Sequence, residues 1–115
     1  MTAKDKTMIR KKKINSDFLK TIDLGGITYN IEFFTPSDLD FNLGMYSQKD
    51  CKILIADSLN DDQKIKTLIH EALHAIIAEY GVDVQEDFEE KIVVQLQTGV
   101  CELLAQLVDY VMEDL

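Results

Sequence analysis

The stretch Asn60–Gly81, NDDQKIKTLIHEALHAIIAEYG, has the signals of a single helix and contains both histidines of the chain. Asn60 is a preferred helix-capping residue, Gln63 stands in capping-box position, and the two aspartates between them suit the positive end of a helix dipole. Apolar residues then recur at helical spacing, and Gly81 follows where a C-terminal cap is expected. We predict a helix that begins near Asn60 and ends near Tyr80.

The segments on either side of this helix predict further elements. Ile22–Phe34 alternates apolar and polar residues after a glycine pair and is typical of a hairpin, whereas Thr35–Gly44 is expected to be a loop. The β-branched, apolar segment Cys51–Ser58 predicts another strand. A second helix should run from about Gln85 to the C terminus. Its apolar stripe consists of Phe88, Ile92, Val93, Leu96, Val100, Leu103, Leu104, Leu107, Val108 and Val111.

The order of elements, strands first and two long helices after them, favours an α+β fold. We expect a small antiparallel or mixed sheet, made of the hairpin and an edge strand, packed on the two helices. With 115 residues, of which 46% are hydrophobic, the chain suits one domain over residues 21–115, preceded by a basic segment at 1–20.

Charge and composition restrict the classes of partner. Residues 1–20 hold seven basic and two acidic residues, a net charge of +5, and the rest of the chain carries −14. Such an acidic body repels phosphate, so nucleic-acid binding is disfavoured and Arg10–Lys13 is expected to be a solvated arm. We see no signal peptide and no run of 18 apolar residues, so we expect a cytoplasmic protein without a membrane span. Cys51 and Cys101 should then be reduced, buried thiols.

The two histidines form a pattern suited to zinc. His70 and His74 lie four residues apart, so on a helix their imidazoles project from one face, one turn above the other. Glu71 is rotated about a third of a turn and can reach a water at the metal rather than the metal itself. This is the H-E-x-x-H arrangement of two ligands and a general base. The alternative, three ordinary helix residues, leaves the glutamate unpaired on an apolar helix, which is costly.

A third ligand is needed, because a catalytic zinc usually has three protein ligands and one open position. No third histidine exists, and the acidic cluster QEDFEE at Gln85–Glu90 opens the next helix after a short turn. Glu90 directly precedes an apolar run and is therefore the acid nearest the core. We favour Glu90, then Glu89, then Glu86; acids that bind no metal suit the first turn of a helix.

These motifs resemble a known group. TLIHEALHAII, preceded by KILIADSL and followed by an acidic residue that opens a final helix, resembles the zincin metallopeptidases whose third ligand is glutamate. The fuller pattern is GGITYNIEFF, GMYSQKDCKILIADSLNDDQKIKTLIHEALHAI and EEKIVVQLQTGV. It resembles small metallopeptidases encoded by bacteriophages and prophages of Gram-positive bacteria. These are similar to the minimal peptidase domain of the ImmA/IrrE type, which acts on repressors, and the resemblance covers roughly residues 20–110.

The resemblance implies a Zn²⁺ peptidase that acts on a protein or peptide, such as a phage or host regulator. His70 and His74 would bind the metal with an acid of the Glu89–Glu90 pair, and Glu71 would be the general base. Ile53, Leu54 and Ile55 would form the edge strand along which an extended substrate docks. The chain is too short for the lower subdomain of a deep cleft. The candidates for stabilising an oxyanion are Tyr46, Tyr80 and Tyr110, and the sequence selects none of them.

Two other functions stay open at this point. In the first, the zinc would hold together the two helices of a small binding or regulatory protein that has no catalytic activity. Glu71 would have no purpose in that role. Less favoured is an accessory module of phage replication or assembly that contacts nucleic acid through Arg10–Lys13. The oligomeric state is also open, since the last helix can cover its apolar stripe in a dimer or on its own sheet.

Overall fold

The computed structural model describes residues 18–37 and 42–113, so most of the basic segment 1–20 lies outside the described residues. Within these residues, four strands come first and two long helices follow, which confirms the α+β class. The strands are β1 (Thr21–Leu24), β2 (Ile27–Phe34), β3 (Gly44–Ser47) and β4 (Lys52–Ala56). The helices are α1 (Asp61–Glu79) and α2 (Glu86–Glu113).

The strands form one mixed sheet in the order β1-β2-β4-β3. β1 and β2 make the predicted antiparallel hairpin, in which Gly25 and Gly26 both have the positive φ that such a turn requires. β2 runs parallel to β4, and β3 runs antiparallel to β4.

The expectation that Ile53, Leu54 and Ile55 form an edge is wrong, because β4 lies between β2 and β3. Ile53 and Ile55 have no exposed surface, as expected for a β-branched run in an interior strand. The edge strand next to β4 is β3, which begins at Gly44, the last residue of the predicted loop. Its four residues, GMYS, are too short to show an alternating pattern.

Helix α1 lies between the sheet and α2, and it packs against both. On the sheet side, Leu68 and Ala72 of α1 contact the core formed by Ile31, Ile53 and Ile55. On the other side, Val93 is the fully buried contact of α2. The expected burial of the cysteines is wrong: both are free thiols at partly exposed positions.

Both ends of α1 are fixed as the sequence predicts. The Asn60 side chain accepts a hydrogen bond from the Gln63 backbone N–H at 2.9 Å, and the Gln63 side chain accepts one from the Asn60 N–H at 3.2 Å. At the other end, Gly81 has φ +62° and the Val82 N–H donates to the Ile77 carbonyl at 3.0 Å, which satisfies a carbonyl of the last turn.

Polar contacts tie the hairpin to the C-terminal end of α1. The buried Tyr29 hydroxyl donates to the Glu79 carboxylate, and burial together with this hydrogen bond raises the pKa of Tyr29. The Gly25 N–H donates to the Tyr80 hydroxyl at 3.0 Å. The helix that carries the histidines is therefore held at its end as well as along its apolar face.

Replacing the cap should destabilise the fold. We expect Asn60→Ala to lower the free energy of unfolding by about 1 kcal/mol, because the Gln63 N–H loses its acceptor. Asn60→Asp, which keeps a capping oxygen, should stay close to wild type. Urea denaturation followed by circular dichroism measures both, and equal stability of the alanine variant and wild type would rule out the cap as a determinant of α1.

Candidate metal centre

Two histidines and one glutamate converge at the α1–α2 interface. Glu90 lies between the two imidazoles: its carboxylate oxygens are 2.9 Å from His70 Nε2 and 2.8 Å from His74 Nε2. The imidazole centroids are 5.1 Å apart, and one donor atom from each of the three residues lies within 4.8 Å of the others. These three residues are the predicted ligand set.

The local sequence explains why these groups meet. The two histidines are one helical turn apart on α1 and therefore share a face. Residues 80–85 then reverse the chain, so the first turns of α2 return beside the second half of α1. Glu90, one turn into α2, comes to lie opposite His70 and His74. Glu86, the third choice from the sequence, is exposed at the start of the helix and does not join the cluster.

The other ring nitrogen of each histidine has a partner of its own. His74 Nδ1 lies 2.6 Å from a Glu89 carboxylate oxygen, and His70 Nδ1 lies 2.5 Å from the Gln97 side-chain oxygen. Each oxygen can accept from an Nδ1–H, and in the neutral imidazole this would leave the Nε2 lone pair available to a metal ion. Glu89 therefore contacts the outer nitrogen of His74, whereas Glu90 contacts the inner nitrogens of both histidines.

Gln97 is a site residue that the sequence reasoning missed. It lies seven residues after Glu90, two turns along the same face of α2. A polar residue there interrupts an otherwise apolar face between Val93 and Val100. That interruption is the signal that could have identified it.

Glu71 is the one buried charged residue among those that the structure describes, with 9% of its surface exposed. Burial raises the pKa of its carboxyl group, and the neighbouring His70 and His74 partly offset the rise. The described residues include no hydrogen-bond partner for it. A carboxyl group so placed binds a proton more readily than an exposed one, which suits a general base.

Strand β3 approaches α1 closely beside this carboxyl group. A side-chain carbon at Gly44 would lie 2.5 Å from the Thr67 methyl group and 3.3 Å from Glu71 Oε2. Only glycine fits there without a shift of the neighbouring groups. The edge strand therefore begins directly against the turn of α1 that carries His70 and Glu71.

An open cleft of about 530 Å³ connects these groups to solvent. The histidines, Glu71, Glu90 and Gln97 line it on the helix side, and residues 42–44 line it on the sheet side. Neither Ile53, Leu54 nor Ile55 lines it; on the sheet side it is Gly44, at the start of β3, that reaches the cleft.

The three tyrosines considered for an oxyanion role do not line the cleft either. The Tyr46 hydroxyl lies 3.4 Å from the Tyr29 hydroxyl, and the Tyr80 hydroxyl accepts a hydrogen bond from the Gly25 N–H of the hairpin. Tyr110 is 67% exposed near the end of α2. The structure therefore assigns none of them to the site.

The neighbouring acids also affect the protonation of His74. Burial alone would lower the pKa of His74, but its hydrogen bonds to the Glu89 and Glu90 carboxylates outweigh burial, and the pKa is raised overall. The two carboxylates therefore favour the imidazolium form of His74. A metal ion needs the neutral imidazole, so its binding would release a proton.

The donor set fits zinc. Two imidazole nitrogens and one carboxylate oxygen are three protein ligands, and the open cleft leaves room for a fourth from solvent or substrate. Searches of protein-family models, curated proteins and solved structures find no match for this chain. The function must therefore be inferred from the geometry itself.

Loss of the Gln97 contact should weaken metal binding. We expect Gln97→Leu to lower zinc affinity about 10- to 100-fold, because the His70 ring loses the acceptor that orients it. The control is Gln95→Leu on the exposed face of the same helix, which should bind zinc as wild type does. Competition with a chromophoric chelator measures both affinities, and an unchanged value for Gln97→Leu would remove this residue from the site.

Proposed function

We propose that the protein is a zinc-dependent peptidase whose metal ligands are His70, His74 and Glu90. The observation that supports it most is the buried carboxyl group of Glu71, which lies next to the cluster at the floor of an open cleft. A purely structural metal site has no use for that acid, and its burial is costly where no described residue hydrogen-bonds it.

Each residue has a distinct role in the proposed reaction. His70, His74 and Glu90 would hold the zinc, which would supply a Lewis acid that polarises a carbonyl and lowers the pKa of a bound water to about 7. Glu71 takes a proton from the attacking water and passes it to the amine nitrogen as the peptide bond breaks. Burial raises the pKa of the Glu71 carboxyl group, which makes it a better proton acceptor than an exposed carboxylate.

The proposed substrate is a protein or peptide segment in extended form. β3 pairs with β4 on one side only, and among the described residues no strand covers its other side. An extended segment would add to that edge by backbone hydrogen bonds, with its scissile bond beside Gly44 and the metal. The likeness of the motifs to phage-encoded peptidases makes a phage or host regulator in the cytoplasm the substrate we favour.

The second candidate is a protein whose zinc only joins α1 to α2. It is favoured by the sparse apolar contact between the helices, in which Val93 is the fully buried residue of α2. Such a protein would bind its partner without cleaving it, and chelation would lower its melting temperature strongly.

Glu71→Gln separates the two functions. We expect this variant to keep its zinc and to lose peptidase activity by about 10²- to 10⁴-fold, because glutamine cannot accept the proton. Glu86→Gln, an exposed acid of α2, is the matched control and should stay active. The measurement is cleavage of an unstructured peptide library by the zinc-loaded proteins, read by mass spectrometry.

Undiminished cleavage by Glu71→Gln would exclude Glu71 as the base. A zinc-loaded wild type that cleaves nothing, and whose melting temperature falls when a chelator is added, would support the non-catalytic role instead.

A further inference from the structure

The C-terminal half of α2 carries a large apolar surface that nothing in the described chain covers. We call it the distal face; it consists of Leu96, Val100, Leu103, Leu104, Leu107, Val108, Tyr110 and Val111. Val100 is partly buried, and the other seven are between 42% and 67% exposed. Contiguous apolar surface of this size on a folded protein marks an interaction site.

The polar residues of this half-helix form one narrow stripe. Glu102, Gln106 and Asp109 follow one another at spacings of four and three, and so lie along a single line of the helix. The rest of the circumference is apolar over residues 100–112. A helix of that composition is normally buried.

A membrane is a poor match for the distal face. Among the described residues, α2 is long and apolar enough to qualify as a membrane span over Glu86–Met112. Its first half, however, packs on α1, where Glu90 and Gln97 contact the histidines. Residues 98–112 alone would reach only about 22 Å, less than the roughly 30 Å of a bilayer core.

The N-terminal residues 1–17 are also a poor match. Six of these 17 residues are basic and two are acidic. The segment has few large apolar side chains, namely Met1, Met8, Ile9 and Ile14. Four large apolar side chains are too few to cover the eight residues of the distal face.

We propose that the distal face pairs with the same face of a second copy of this chain. Leu96, Val100, Leu103, Leu107 and Tyr110 recur at alternating spacings of four and three, which is the seam of a two-helix coiled coil. Such a seam matches itself, because the side chains of one helix fit between those of an identical one. Leu104, Val108 and Val111 flank it and widen the contact.

The available area suits a homodimer. A fully exposed residue of this size presents about 200 Å², so the seven exposed residues together offer on the order of 700 Å². A standard interface takes roughly 800 Å² from each partner. The polar stripe of Glu102, Gln106 and Asp109 would stay at the solvent-exposed rim, so that no charge is buried.

Leu107→Glu and Gln106→Glu test the proposal as a matched pair. Both add one negative charge at neighbouring positions, the first in the seam and the second in the polar stripe. Sedimentation equilibrium of the full chain should give twice the 13.1 kDa chain mass for wild type and Gln106→Glu. Leu107→Glu should give the single-chain mass, with the helix content by circular dichroism unchanged.

A second measurement needs no variant. The melting temperature of a dimer rises with protein concentration, so that of wild type should rise across a dilution series while that of Leu107→Glu stays constant. A wild type that stays at the single-chain mass at every concentration would overturn the proposal, and so would its capture by phosphatidylcholine vesicles from a monomeric solution. Equal dissociation of both glutamate variants would also contradict it, because the seam would then have no special role.

Discussion

The contact between the Glu90 carboxylate and the two imidazoles of α1 is the interaction on which the site depends. It joins two helices that share little buried apolar surface, and it fixes the rotation of α2 about its own axis. That rotation also aligns Glu89 and Gln97 with the outer ring nitrogens. One helix pairing therefore supplies three donor atoms and the two oxygens that orient them.

The same pairing explains why a costly group is kept. Glu71 is buried beside two histidines, and an apolar residue of similar volume would pack there without the desolvation cost. The close approach of Gly44 adds a second constraint at the same point, since any side chain there would meet Thr67. Two constraints on one turn of α1 indicate that the cleft, and not only the stability of the fold, determines these residues.

Much of this arrangement could be predicted from the sequence, because its signals are local. The Asn60 and Gln63 cap, the Gly81 terminus and the histidine spacing all act within one helix. The choice of Glu90 also followed from its place before an apolar run. β3 could not be predicted, because its four residues are too few to show the apolar–polar alternation of a strand. They pair only in the folded sheet. Without β3, the sequence places β4 at the edge, although a β-branched run is typical of an interior strand.

The apolar stripe of α2 was visible in the sequence, but what covers it was not. A stripe shows that a surface is to be buried and not which surface buries it. Here only the first half of the stripe faces α1. The metal site and the distal face thus occupy successive halves of one helix, so contacts made by the second half can affect the position of Glu90 in the first.

The most direct measurement is the metal content, by elemental analysis, of protein purified without chelator, for wild type, Glu90→Ala and Glu89→Ala. We expect one zinc per chain in wild type, none in Glu90→Ala, and retained but weaker binding in Glu89→Ala. A wild type that contains no metal and takes up none when zinc is added would contradict the account. His70 and His74 would then be ordinary helix residues paired with acids.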